Sequence, residues 1–206
     1  MPSWKRFIAG MLETNLYLCY SEEDGRGVII DPGDCCPDLL DFIKNSGIEP
    51  RAVLLTHGHI DHCGGVKWLL EHFNLSLMVA AADAHMLQPE NCRDLAAMFA
   101  VDLPPAPDRF LQDGQDLAEL GVPLRVMATP GHSPGSLVFL APGLAFTGDT
   151  LFQGNVGRVD LPGGDEEELY RSLELLGRLP GETLVLPGHG DLSSITRERA
   201  ENPYLD

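Results

Sequence analysis

The chain has 206 residues with 14 Lys and Arg against 31 Asp and Glu, a formal charge of −17, and so few cations cannot build the basic face that neutralising phosphates demands. That disfavours a stand-alone binder of nucleic acid or anionic membrane, and no run approaches the ~18 apolar residues of a membrane span. At this length one domain buries about two-thirds of its unfolded surface without disulfides, and five cysteines (Cys19, Cys35, Cys36, Cys63, Cys92) with no Cys-x-x-Cys spacing read as reduced thiols in a cytoplasmic protein.

The N-terminus begins like a signal peptide's basic segment, but the apolar run behind it is short, holds Gly10 and meets Glu13. Short apolar runs then predict strands at 7–9, 15–20, 28–30, 53–55, 75–80, 124–128, 137–140, 144–146 and 183–186. Residues 37–45 predict a helix, with Pro37 in the first turn and a stop before Gly47. Residues 62–73 carry Val66, Leu69, Leu70 and Phe73 on one helical face. Residues 83–110 read as one or two helices followed by an extended loop, serving as a cover over the active site or as an ordinary connection. From Asp165, with Glu168 three residues on, a capping-box pattern opens a helix in which Leu169, Leu173 and Leu176 repeat. Strands mixed with amphipathic helices predict an α/β layered fold.

Four of the strands share a grammar: an apolar run, a turn, then a metal-binding residue type. Val53 to Leu55 leads to His57, Leu124 to Ala128 leads to His132, Leu144 to Phe146 leads to Asp149, and Thr183 to Leu186 leads to His189. Loops at strand ends are where a rigid sheet assembles a site from distant sequence, so the four turns are expected to converge.

The first turn is the richest. His57, His59, Asp61 and His62 put four donors into six residues. Histidines two apart on an extended turn point to the same side, whereas Asp61 and His62 start the next helix and are displaced toward a second centre. With His132, Asp149 and His189 the set holds five imidazoles and two carboxylates, a mixture suited to two Zn(II), Mn(II) or Fe(II) ions. Asp149, alone on its turn, is the candidate bridge. Asp61 and Asp149 among apolar strands would be costly to bury unless ions were their partners. Two divalent ions, two carboxylates and a hydroxide leave the centre at about +1, enough to attract an anionic or polarised carbonyl substrate. His72 and His85 lie outside any such turn and are expected to be hydrogen-bonded core residues. Cys63 is expected to pack a helix, and Gly64-Gly65 to permit close backbone packing.

His57-x-His59-x-Asp61-His62, with His132 in Thr-Pro-Gly-His-Ser-Pro-Gly-Ser, Asp149 in Thr-Gly-Asp-Thr-Leu-Phe and His189 in Pro-Gly-His-Gly, resembles the metallo-β-lactamase superfamily. Gly154 to Gly164 and Asn202-Pro203-Tyr204-Leu205 resemble its glyoxalase II (hydroxyacylglutathione hydrolase) branch, in the short single-domain form. The resemblance implies an αββα sandwich with metals at one edge between the sheets. It implies one domain over 1–206, without the C-terminal helical domain that contributes to glutathione binding, since the chain ends seventeen residues beyond His189. His57, His59 and His132 are implied for one metal, Asp61, His62 and His189 for a second, and Asp149 for both, with Zn(II) foremost and Fe(II) or Mn(II) as alternatives. Retention of Asp149 argues against a true β-lactamase. Arg158, by its place in the family pattern, is a candidate to anchor a substrate carboxylate, the alternative being a salt bridge to Asp160.

The expected activity is therefore metal-dependent hydrolysis of a small-molecule thioester such as an S-(2-hydroxyacyl)glutathione. A bridging hydroxide would attack the acyl carbonyl, with Asp61 and Asp149 as catalytic residues. A thiolate leaves without a strong general acid, and the sequence shows none. The alternatives are a persulfide dioxygenase with one Fe(II) on His57, His132 and Asp149, or a hydrolase of another ester or lactone. Neither nucleic acid nor membrane is expected as a partner. A non-catalytic module would be expected to have lost donors.

Overall fold

A computed structural model describes residues 2–205. Six strands, β1 (Ser3–Ala9), β2 (Thr14–Tyr20), β3 (Arg26–Ile30), β4 (Glu49–Leu54), β5 (Ser76–Ala80) and β6 (Arg109–Leu111), form one sheet in sequence order. Its first three strands are antiparallel and β3 through β6 are parallel. The parallel part needs crossovers, supplied by α1 (Pro37–Ser46), then α2 (Ile60–Cys63) with α3 (Val66–His72), then α4 (Pro89–Phe99). The second sheet is built from β7 (Arg125–Ala128), β8 (Leu137–Ala141), β9 (Leu144–Gly148), β12 (Leu184–Pro187) and β13 (Ser193–Ser194), in the order β13-β12-β9-β8-β7. A small hairpin of β10 (Leu151–Phe152) and β11 (Asn155–Val156) follows β9, α5 (Glu166–Gly177) crosses to β12, and α6 (Ile195–Glu201) follows β13.

The strands are apolar on both faces because each face meets a different layer. In β2, Leu16 and Leu18 join the core under α1 to α4, whereas Tyr17 and Cys19 join the core between the sheets. In β9 and β12, Phe146 and Leu186 face the other sheet, and Ala145 and Val185 meet Leu169, Leu173 and Leu176 of α5. Period-two alternation into three cores makes the four-layer αββα sandwich, the α/β layering that the residue pattern predicts and the arrangement that the family resemblance implies.

Differences from the sequence reading have local causes. The helix expected at 62–73 starts at Ile60 and breaks into α2 and α3 at Gly64-Gly65, because the backbone of residues 32–34 passes there. The Gly65 N–H donates to the Pro32 carbonyl at 2.8 Å, and a Cβ on Gly65 would lie 2.3 Å from the Asp34 carbonyl oxygen. Residues 83–110 hold the end of a 3-10 helix (Ala81–Leu87), then α4, then an extended stretch; at its end, where the sequence predicts loop, the short strand β6 pairs with β5. β1 begins at Ser3, four residues before the predicted start, and pairs along its whole length with β2. The two-residue strands and α6 had no periodic signal long enough to show. α5 begins where predicted: the Asp165 side chain accepts from the Glu168 N–H at 3.0 Å, and the Asp165 N–H donates to the Gly131 carbonyl at 2.8 Å, tying the helix to the His132 turn.

Candidate metal centre

β7, β9 and β12 run the same way, since β8 is antiparallel to both β7 and β9 and β12 is parallel to β9. Their C-terminal turns carry His132, Asp149 and His189 to one edge. The loop after β4 reaches that edge from the first sheet, held by the Leu137 N–H donating to the Thr56 carbonyl at 2.7 Å. Opposite, the Asn15 N–H donates to the Gly188 carbonyl at 2.7 Å and the Tyr17 hydroxyl to the Pro187 carbonyl at 2.7 Å.

The seven donors gather into two groups. His132 Nε2 lies 3.2 Å from His57 Nε2 and 2.9 Å from His59 Nδ1. His189 Nε2 lies 3.3 Å from both His62 Nε2 and Asp61 Oδ2. Asp149 stands between them: Oδ1 is 3.3 Å from His62 Nε2, and Oδ2 is 3.7 Å from both His132 Nε2 and His189 Nε2. The close approach of the His189 turn requires glycine, because a Cβ on Gly188 would sit 2.3 Å from Asp149 Oδ1.

Each of four imidazoles has its other nitrogen engaged with oxygen. His62 Nδ1 donates to Asp31 Oδ2 at 3.0 Å, His132 Nδ1 to the Arg158 carbonyl at 2.7 Å and His189 Nδ1 to the Leu12 carbonyl at 3.0 Å. His57 Nδ1 lies 3.1 Å from Thr56 Oγ1, which itself donates to Asp31 Oδ2 at 2.6 Å. A proton fixed on Nδ1 leaves the Nε2 lone pair facing the cluster.

This donor set fits divalent ions. Tetrahedral nitrogen ligands about 2.05 Å from zinc would stand about 3.3 Å apart, close to the separations above. Among the described residues, Asp149 Oδ1 is the buried side-chain oxygen left without a hydrogen-bond partner, an arrangement that an ion makes favourable. Burial drives His57 well below the ordinary histidine range and His59 down to about 4, with neighbouring imidazoles adding to both effects. In His62 burial pulls the same way but is outweighed by Asp149, Asp31 and Asp61, so its affinity for a proton rises well above normal. His189 is raised too, Asp61 and Asp149 overcoming its burial. For Asp61 and Asp149 burial opposes ionisation, and His62 foremost draws both below the usual carboxylate range.

Two buried carboxylates absent from the sequence reading brace the cluster. Asp31, at the end of β3, accepts from His62 Nδ1, the Thr56 N–H and the Thr56 hydroxyl, and adopts a left-handed φ of 51°. Ile29-Ile30-Asp31-Pro32-Gly33 repeats the strand-turn-donor grammar and could have revealed it. Asp83, fully buried in the 3-10 helix, accepts from the Gly58 and Gly135 N–H groups at 2.9 and 2.7 Å and from the Ser133 hydroxyl at 2.7 Å. It therefore staples the His57–His59 loop to the His132 loop. Nothing in its local sequence signals this.

The remaining singled-out residues lie around the edge. The Arg158 side chain is exposed and forms a two-pronged pair with Asp160, at 2.6 Å from both Nε and Nη2, which raises Arg158 and brings Asp160 down to about 2. Cys63 is buried with Sγ 3.3 Å from the His59 carbonyl, and all five cysteines are free. His72 and His85 are hydrogen-bonded, through Nδ1 to the Trp68 and Ala82 carbonyls at 2.8 Å, but they are exposed rather than in the core. Each caps carbonyls of its own helix from outside, which needs no burial. Residues of the 3-10 helix and α4 form one wall of a cavity of about 420 Å³ beside His59, so this segment borders the centre. A larger cavity of about 800 Å³, between α5, α6 and residues 203–205, shares no residue with the donors.

The fold and the paired donor groups define a metal-centred αββα protein. The family model for the metallo-β-lactamase superfamily matches residues 10–189, and the chain belongs to that superfamily, whose members bind divalent metals. A Bacillus subtilis (strain 168) protein described as a probable metallo-hydrolase, YqgX, is 34% identical over 207 residues, covering 98% of this chain and 97% of the other. The hydroxyacylglutathione hydrolase GloC of Haemophilus influenzae (strain ATCC 51907 / DSM 11121 / KW20 / Rd) is 35% identical over 191 residues, 90% of each chain. Among solved structures, the B3 metallo-β-lactamase BLEG-1 superposes with a TM-score of 0.90 at 34% identity, covering 98% of this chain and 99% of that one. TTHA1623 in a di-iron-bound form gives 0.88 at 39% identity, covering 98% and 100%. The chain is thus a hydrolase of the superfamily type, with a histidine and aspartate cluster suited to metal.

Proposed function

We propose that the protein is a metal-dependent thioester hydrolase of the hydroxyacylglutathione hydrolase kind. The observation that carries this reading is the complete double donor set with Asp149 reaching both halves, combined with similarity to GloC across 90% of each chain. His57, His59 and His132 would hold one divalent ion, Asp61, His62 and His189 the other, and Asp149 both, with zinc first and iron or manganese as alternatives. When bound, such ions lower the pKa of water toward 7 and polarise an acyl oxygen.

The chain's own residues do the rest. Asp31 and the Arg158 and Leu12 carbonyls hold His62, His132 and His189 with Nε2 turned inward. The Asp61 carboxylate, held ionised by His62 and His189, would take the proton that an attacking water loses. The leaving thiolate needs no proton donor, because a thiol ionises near pH 8.5. Arg158 is the cation that could meet a carrier carboxylate once its pair with Asp160 opens. We take residues 1–206 as one such domain acting on a small molecule in the cytoplasm; no helix among the described residues is long and apolar enough to cross a membrane.

The test is thiol release from S-lactoylglutathione by protein loaded separately with Zn(II), Mn(II) and Fe(II), alongside a β-lactam and a persulfide with oxygen uptake. Metal-dependent thiol release that Asp61→Asn and Asp149→Ala each cut at least about a hundredfold in kcat, more than they change KM, is expected. Turnover of only the β-lactam or the persulfide would replace the reading. Arg158→Ala is expected to raise KM for the glutathione thioester about threefold or more with kcat held; an unchanged KM would remove Arg158 from the binding site.

A further inference from the structure

We infer that the cavity beside His59 receives an uncharged, apolar acyl group, so that the preferred thioesters carry aliphatic or aromatic chains larger than lactoyl. The inference rests on the thioester reading above and names the part of the substrate this chain selects. The cavity, about 420 Å³, falls within the size range of small-molecule sites. His59 belongs both to its wall and to the first donor group. A chain lying in the cavity therefore presents its carbonyl end to the donors.

The walls are apolar from two sides: Ile60, Met86 and Leu95 from α2, the 3-10 helix and α4, and Leu161 with Pro162 from the loop before α5. No Lys, Arg, Asp or Glu lines it. Two of its polar side chains are turned partly to local backbone, Asn91 Nδ2 donating to the His85 carbonyl at 2.7 Å and His85 Nδ1 to the Ala82 carbonyl at 2.8 Å. Thiol carriers such as glutathione bear several charges, and no Lys or Arg here could pair with them. Burying an unpaired carboxylate in such walls is costly, whereas each buried methylene is favourable. The acyl chain is the part of a thioester that suits the cavity.

The test uses the metal-loaded protein and N-acetylcysteamine thioesters from acetyl to octanoyl. kcat/KM is expected to climb about threefold per methylene until the cavity is full. Leu95→Trp and Leu161→Trp, which fill it from opposite walls, should flatten the climb, while Leu175→Trp on the exposed side of α5 should leave it intact. Turnover that is independent of chain length, or a climb that both tryptophans leave unchanged, overturns the inference while the thioester reading survives. If no thioester is hydrolysed, the thioester reading falls and calorimetry with the matching alkyl thioethers decides the cavity. Affinity that rises with chain length and is lost in Leu95→Trp sustains an apolar subsite; binding that is absent or independent of length overturns it.

Discussion

The two donor groups differ in what they carry before any ion arrives. Burial, with neighbouring imidazoles, lowers the proton affinity of His57 and His59, whereas Asp149 and Asp61 raise that of His62 and His189. A ligand must shed its proton to bind an ion, so affinity falls wherever protonation grows. On metal uptake the His62 and His189 pair is expected to expel more protons than His57 and His59. Acidification from pH 8 to 6 should therefore weaken the first of these more than the second. Calorimetric titration in buffers of different ionisation enthalpy checks this, and equal proton release from the two events would contradict it. Residue identities in this cluster were legible in the sequence because the donors fall in turns after apolar runs. The contrast in proton affinity was not, because Asp149 and Asp31 join His62 from distant parts of the chain.

At the scale of elements, the 3-10 helix and α4 turn out to serve the centre. Asp83 ties two ligand-bearing loops together, and Met86 and Leu95 wall the cavity. Asp83→Ala would leave the Gly58 and Gly135 N–H groups without an acceptor, each costing about 1–3 kcal/mol when buried. Destabilisation of about 3 kcal/mol or more is expected in denaturant unfolding of the metal-free protein, with weaker metal uptake at the His57, His59 and His132 group than at its neighbour. A loss under about 1 kcal/mol would mean that other contacts position these loops. Sequence periodicity located α1 and α5 closely because proline, glycine and an Asp165 cap mark their ends. It ran through Gly64-Gly65 because an amphipathic pattern does not register a backbone crossing from residues 32–34. It missed β6 because three residues, two of them exposed, carry no alternation to read.

For the molecule as a whole, the centre concentrates positive potential once metal is bound in a chain of formal charge −17. It also joins the two sheets, since donors from the first sheet's loop and the second sheet's turns would share the same ions. With free metal about a thousandfold above Kd, linkage adds about 4 kcal/mol to stability, on the order of 10 °C in Tm for a chain of this size. Thermal melts with and without chelator should show that difference. A Tm indifferent to metal would mean that the donors do not bind it.

By itself the sequence determined the composition of the centre and the layered fold, because both are written locally: donor types follow apolar runs, and those runs have strand and helix periods. Tertiary structure alone decided which further carboxylates brace the centre, Asp31 on His62 and Asp83 between the ligand-bearing loops, and that a cavity without Lys, Arg, Asp or Glu opens beside His59. Those properties depend on distances between residues far apart in the chain, and such distances are set when the C-terminal ends of β4, β7, β9 and β12 meet at one edge of the sandwich.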